Sequence, residues 1–225
     1  MQSSRKTTLL RQAQAFAGEL TDVLNGTITD GIRLNALTDV RGRAVVGYRI
    51  SQHKPLGDSI PLTISQAPPK LHLSVLHTLD LDELSGDLVT SSSTYSLQDA
   101  TSATAIFTYD YVREPPNEYP EAHFHLYGQS DTLQNLLGVG GRDTDKPADL
   151  HLPVGGRRYR PCLEDIIEFC ILERLVKSRQ KWQTAVKQSR SRYHKLQLQA
   201  AVRRDPAHAA TALQQMGWQV EESKE

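Results

Sequence analysis

Residues 104–112 read Thr104-Ala-Ile-Phe-Thr-Tyr-Asp-Tyr-Val112. β-branched and aromatic residues fill this run, which suits the pleated, half-buried surface of a sheet. The same reading extends upstream. Residues 43–51 form a strand, and Ile60–Ile64 is a short edge strand because Pro61 removes a ladder donor. From Leu71 the chain alternates Leu71, Leu73 and Val75, and residues 87–97 are Thr-, Ser- and Val-rich. Downstream, residues 121–127 (Glu-Ala-His-Phe-His-Leu-Tyr) are a strand, and Leu150-His-Leu-Pro153 is a last short one. Residues 129–148 read as a short helix or loop.

Helical spacing flanks these strands. Leu9, Leu10, Ala13, Phe16, Ala17, Leu20, Val23 and Leu24 recur at three-four spacing, which predicts a helix over 5–24 that ends at Asn25-Gly26. Further helices are predicted over 162–179, 181–204 and 206–216, the last restarted by Asp205-Pro206 with Asp205 as cap. Helix 162–179 is apolar almost all round and is expected between two layers. One helix, a run of strands and a run of helices give an α+β protein. Its antiparallel β-sheet is preceded by one helix and followed by C-terminal helices, without βαβ alternation. The chain divides into an α+β domain over 1–180 and a basic C-terminal helical extension over 181–225, packed on that domain or projecting from it.

The 225 residues carry 26 Lys+Arg against 26 Asp+Glu, and 38% are hydrophobic, which excludes a collagen-like or strongly disordered chain. No stretch approaches the roughly 18 apolar residues of a spanning helix, so no membrane partner is expected. Arg11 and Gln12 break the apolar start of the chain before a signal peptide's core can form. Cys162 and Cys170 fall eight apart in one predicted helix, roughly 12 Å, too far to bridge. The expected compartment is therefore cytoplasmic, with both thiols serving as small buried hydrophobes.

Chemistry concentrates at the histidines. His123 and His125 stand two apart on strand 121–127, so alternation puts both on one face and turns Phe124 to the other. His151, between Leu150 and Leu152, has the same reading, with Asp149 on its face. If these strands are neighbours, three imidazoles converge. Tyr109 and Tyr111 join them from strand 104–112, and Asp110 points the opposite way. Next comes Pro153-Val-Gly-Gly-Arg-Arg-Tyr-Arg-Pro161, just before a helix start. Gly155 and Gly156 permit close approach of backbone to a ligand, and Arg157, Arg158 and Arg160 beside a helix N-terminus favour a phosphate. His123, His125, His151 and Tyr109 are the candidate catalytic residues. Imidazole has a pKa of about 6.5, so one ring serves as base and another as acid near neutrality. With arginines on the phosphoryl oxygens, that set suffices for metal-free phosphodiester cleavage through a neighbouring hydroxyl. No cofactor is assigned outright. The alternative is a divalent metal on His123, His125 and His151, or on two of them with Asp149. The plain structural alternative pairs the arginines with Glu164, Asp165 and Glu168. His53, His72, His77, His194 and His208 lack such company and read as structural or solvated.

His123-Phe-His125 followed by Pro153-Val-Gly155 resembles the cupin metal motifs. It departs from them in two places: Leu126-Tyr-Gly-Gln-Ser130 holds no glutamate, and Arg158 stands at the third histidine's position. More of the chain resembles a family of uncharacterised bacterial proteins. That resemblance is carried by Glu121-Ala-His-Phe-His125, by Leu150-His-Leu-Pro-Val-Gly-Gly-Arg-Arg-Tyr-Arg-Pro-Cys-Leu-Glu-Asp165, and by the Leu198-Gln-Ala-Ala-Val-Arg-Arg-Asp-Pro206 and Gly217-Trp218 segments. It implies that the motif is a unit and names no reaction.

The zero net charge is a cancellation between regions. From Arg174 to Arg204 lie ten basic residues and no acidic one, whereas residues 1–173 hold 15 basic and 22 acidic. Lys181, Lys187, Arg190, Arg192 and Lys195 give helix 181–204 a basic face that suits a phosphate backbone. The same face also suits the acidic remainder of its own fold. Three readings follow. The first is a phosphate-directed His/Arg site that binds or cleaves nucleic acid; as an enzyme, it would be a phosphodiesterase or ribonuclease-like hydrolase. The second is a non-catalytic interaction module whose basic helices take a protein partner, nucleic acid or another polyanion. The third is a histidine-cluster metal-binding protein.

Overall fold

A computed structural model describes residues 2–65, 67–83, 85–116, 119–128, 152–154 and 160–221. The elements run α1 (Gln2–Asn25), β1 (Leu34–Thr38), β2 (Ala44–Tyr48), β3 (Ile60–Pro61), β4 (Leu71–Leu81), β5 (Leu88–Asp99), β6 (Ala105–Val112), β7 (Ala122–Leu126) and β8 (Leu152–Pro153). Three helices follow: α2 (Leu163–Leu172), α3 (Trp182–Arg204) and α4 (Pro206–Gln215). The strands form one antiparallel sheet in the order β1-β2-β4-β5-β6-β7-β8, and β3 pairs with the free end of β4 beside β2. This is the α+β architecture that the element order predicts.

Alternation along the strands decides which side chains meet the helices. Leu73, Val75, His77 and Leu79 of β4 lie opposite or beside Tyr95 and Leu97 of β5, and these pair in turn with Tyr109 and Phe107 of β6. That face buries against Leu9, Ala13, Ala17, Leu20 and Leu24 of α1, Ile166 and Ile167 of α2 and Val186 of α3, in one continuous core. The other face is largely polar: Ser74, Ser96 and Thr108 lie across one line, and Leu76, Thr94 and Asp110 across the next.

Three differences from the sequence reading have physical causes. β1 is an edge strand paired only with β2, and its Asn35 and Ala36 give little strand signal; the ladder and a bond from Leu34 N–H to Thr21 Oγ1 (3.0 Å) hold it extended. The apolar run 162–179 is helical only to Leu172. There Arg174 takes a left-handed φ of 57°, and the chain turns back toward α3. This helix is covered on one side, not two, leaving Phe169 and Leu172 42% and 65% exposed.

The helix ends are closed by side chains. Asp165 accepts from the Cys162 N–H (2.9 Å) at the start of α2, and Asp205 accepts from the His208 N–H (3.2 Å) at the start of α4. At the end of α1, Arg179 donates to the carbonyls of Asn25 (2.6 Å) and Thr29 (3.1 Å) and to Asp30 (2.7 Å). Those carbonyls have no intrahelical partner, so a cation there satisfies both hydrogen bonding and the helix dipole. Both cysteines are free and buried, and burial pushes the Cys170 thiol up to about 12.

His77 is a core histidine. Burial first, and the Arg160 charge second, lower its pKa to about 3. In the unfolded chain it titrates near 6.5, so between those values the unfolded state binds the extra proton. The stability gained by keeping it neutral is complete above about pH 6.5 and is lost as pH falls toward 3. In urea titrations, His77→Gln should flatten this acid limb by up to about 1.4 kcal/mol per pH unit relative to the parent protein. An unchanged slope would show that another group governs it.

Candidate metal centre

The β6–β7 register brings the site together. Asp110 is directly opposite His123, and Thr108 opposite His125. Cross-strand partners share a face, so Asp110, His123 and His125 all project from the polar side of the sheet. One ligand atom from each lies within 4.8 Å of the others. His125 Nε2 is 3.7 Å from Asp110 Oδ2, and the two imidazoles stand edge to face with centroids 5.1 Å apart. Donor atoms around one tetrahedral ion sit roughly 3–3.5 Å apart, so small side-chain rotations close this triangle on a cation.

Neighbouring groups orient the ligands. His123 Nδ1–H donates to the Pro120 carbonyl (2.9 Å), which leaves the ring's lone pair at Nε2. Thr94 Oγ1 donates to Asp110 Oδ1 (2.6 Å), so the carboxylate presents Oδ2 toward His125. A carbonyl behind one histidine and a hydroxyl behind the carboxylate are the outer contacts by which metal ligands are commonly fixed. His123 is buried, and His125 and Asp110 are half-buried.

As expected, the two histidines share one face and Phe124 takes the other. Phe124 packs against Tyr109 at 4.7 Å and Phe107 at 5.7 Å between ring centroids. Tyr109 is a correction. It is opposite Phe124, on the helix side, and Asp110 rather than Tyr109 joins the histidines. The cause is register: pairing Tyr111 with Ala122 aligns the tyrosines with the apolar positions of β7. Burial, and then the Asp165 charge, raise the Tyr109 pKa, which makes it a poor proton donor near neutrality.

Arg160 is a second correction. Its guanidinium lies over the Tyr111 ring (4.5 Å), with Tyr193 beyond (5.9 Å), and donates to Thr90 Oγ1 (3.3 Å). Tyr111 belongs to the helix-facing row, so Arg160 is across the sheet from His123 and His125. The next two residues are Pro161 and the Cys162 cap of α2, so the chain at Arg160 has already passed to the helix side. His151, Asp149, Gly155, Gly156, Arg157 and Arg158 lie outside the described residues.

The basic helix divides. Arg190 bonds Asp165 (3.1 Å) and Glu168 (2.6 Å), and Arg192 is 3.6 Å from Glu19. Lys181, Lys187 and Lys195 are exposed and have no ion pair among the described residues. Asp110 and Thr94 are what the sequence reading misses at this site. The alternating Tyr-Asp-Tyr pattern marks Asp110 as lying on one face of β6, but only the pairing with β7 says which residues share it.

The Pro120 contact fixes a tautomer. Long-range proton–nitrogen NMR of the neutral protein should show His123 protonated at Nδ1, and a dominant Nε2–H form would contradict the geometry. Comparison with protein-family models, with curated proteins and with solved structures finds no match to this chain.

Proposed function

We propose that the protein binds a divalent transition metal through Asp110, His123 and His125. The observation that carries this reading is the triangle of one carboxylate and two imidazoles whose ligand atoms lie within 4.8 Å of one another. Two imidazoles and one carboxylate suit Zn²⁺ or Fe²⁺ better than Mg²⁺ or Ca²⁺, which favour all-oxygen shells. Three protein ligands among the described residues match the usual composition of a catalytic metal site, in which water or substrate takes a remaining position. The chemistry open to it is Lewis-acid activation of a bound water or carbonyl.

Metal analysis after reconstitution with Zn²⁺ or Co²⁺ and desalting should give about one ion per chain. Asp110→Ala or His125→Ala should weaken binding at least 100-fold, and Thr94→Val about 10-fold through loss of the hydroxyl behind the carboxylate. Equal retention by wild type and the Asp110→Ala/His125→Ala double variant would overturn the reading.

A second reading is carried by the outward lysines of α3. Lys187 and Lys195 are separated by two helical turns and stand on one stripe beside His194. We propose weak, sequence-independent binding of a polyanion there. The affinity for duplex RNA should fall with added salt, and Lys187→Ala with Lys195→Ala should reduce the log-affinity against log-salt slope by roughly 2. An unchanged slope rejects it.

A further inference from the structure

A cavity of about 330 Å³ lies between the helix-facing side of the sheet, α1 and α3, within the size range of small-molecule sites. It is across the sheet from Asp110, His123 and His125. Phe16 and Leu20 of α1 and Leu79 of β4 form its apolar floor, and Thr90, Tyr95 and Tyr193 bring hydroxyls to its walls.

Charge in this lining is nearly balanced, with a residue. Among the described residues, four arginines (Arg113, Arg160, Arg192 and Arg203) face three carboxylates (Glu19, Asp87 and Glu164). Arg192 is matched by Glu19 (3.6 Å) and Arg203 by Asp87 (2.7 Å). Glu164 is buried and accepts from Ser189 Oγ. Arg113 and Arg160 have no carboxylate partner among the described residues. Arg113 is turned to the Thr90 carbonyl (3.2 Å), and Arg160 is held flat over Tyr111 and Tyr193 with one bond to Thr90 Oγ1. A guanidinium fixed by aromatic faces loses little freedom when it takes an anion.

His77 supplies an independent observation. It lines the cavity, is 3% exposed, and its Nε2 is 3.1 Å from the Tyr95 hydroxyl. Its Nδ1 is buried and has no hydrogen-bond partner among the described residues. A buried histidine nitrogen in that state calls for an explanation, and the ring borders the cavity.

We propose that this cavity binds a small amphipathic monocarboxylate, with its carboxylate on Arg160 and its apolar body over Phe16, Leu20 and Leu79. The single surplus positive charge suits a monoanion, and buried Glu164 opposes a doubly charged phosphate monoester. A guanidinium fork takes a carboxylate in two parallel bonds as readily as a phosphate, so the charge balance sets the preference.

Calorimetric titration with octanoate, 1-octanol and octyl phosphate tests this, in EDTA so that the outcome is separate from metal binding. Octanoate should bind saturably and at least 10-fold more tightly than the neutral alcohol or the phosphate ester. Arg160→Gln should remove the preference for octanoate over octanol. Leu196→Trp, at a rim position 58% exposed, should weaken octanoate at least 10-fold by narrowing the cavity, and it covers the case in which Arg160→Gln fails to fold. The Asp110→Ala/His125→Ala variant should bind octanoate as wild type does. Equal affinity for octanoate and octanol, preference for octyl phosphate, no saturable octanoate binding, or full affinity in Leu196→Trp would each overturn the proposal.

Discussion

The arrangement of this protein depends on the pairing of β6 with β7. Phe107, Tyr109 and Tyr111 align with Leu126, Phe124 and Ala122, and the intervening positions align Asp110 with His123. A slip of one residue would carry the whole set to the wrong face. What opposes the slip is aromatic packing on the helix side. Tyr109 and Phe124 are in tilted contact, and Phe107 touches Phe169 of α2 edge to face. Such pairs contribute about 0.5–1.5 kcal/mol each beyond burial. The apolar face therefore fixes the geometry of the polar one. The two histidines and the aspartate meet on the polar face because the register that pairs the rings on the other face aligns them.

The second organising effect is charge attraction between distant parts of the chain. The basic helix α3 is tied to α2 through Arg190 with Asp165 and Glu168, to α1 through Arg192 with Glu19, and to the β4–β5 turn through Arg203 with Asp87. Each partly exposed pair is worth little alone. Beneath them, Ser189 hydrogen-bonds Glu164 and Val186 enters the core, so the ion pairs orient a helix that apolar contact already holds. Neutrality of the whole chain is the sum of an acidic platform and a basic cover.

Legibility followed the range of the forces. The long alternation of β4, the β-rich run of β6 and the three-four spacing of α1 are local, and each element lies where those patterns put it, within a few residues. The facing of His123 and His125 is also local, because a strand's period needs no partner. Asp110 and Arg160 lie where local pattern does not put them, for the opposite reason. Which residue of β6 faces which of β7, and on which side of the sheet the chain enters α2, are set by contacts between segments. β1 was missed because an edge strand of mixed polarity owes its form to its neighbour. The end of α2 at Leu172 depends on the return of the chain toward α1, which no apolar pattern records.

Arg179 ties together two distant parts of the chain. It completes the last turn of α1 from 154 residues away. During synthesis, at roughly 5–20 residues per second, the N-terminal helix thus waits on the order of 8–30 s for the group that closes it. Until then its carbonyls at Asn25 and Thr29 and its apolar face are without their final partners. A helix made early is thus among the last to be finished, so its completion is timed by a residue 154 positions further along the chain.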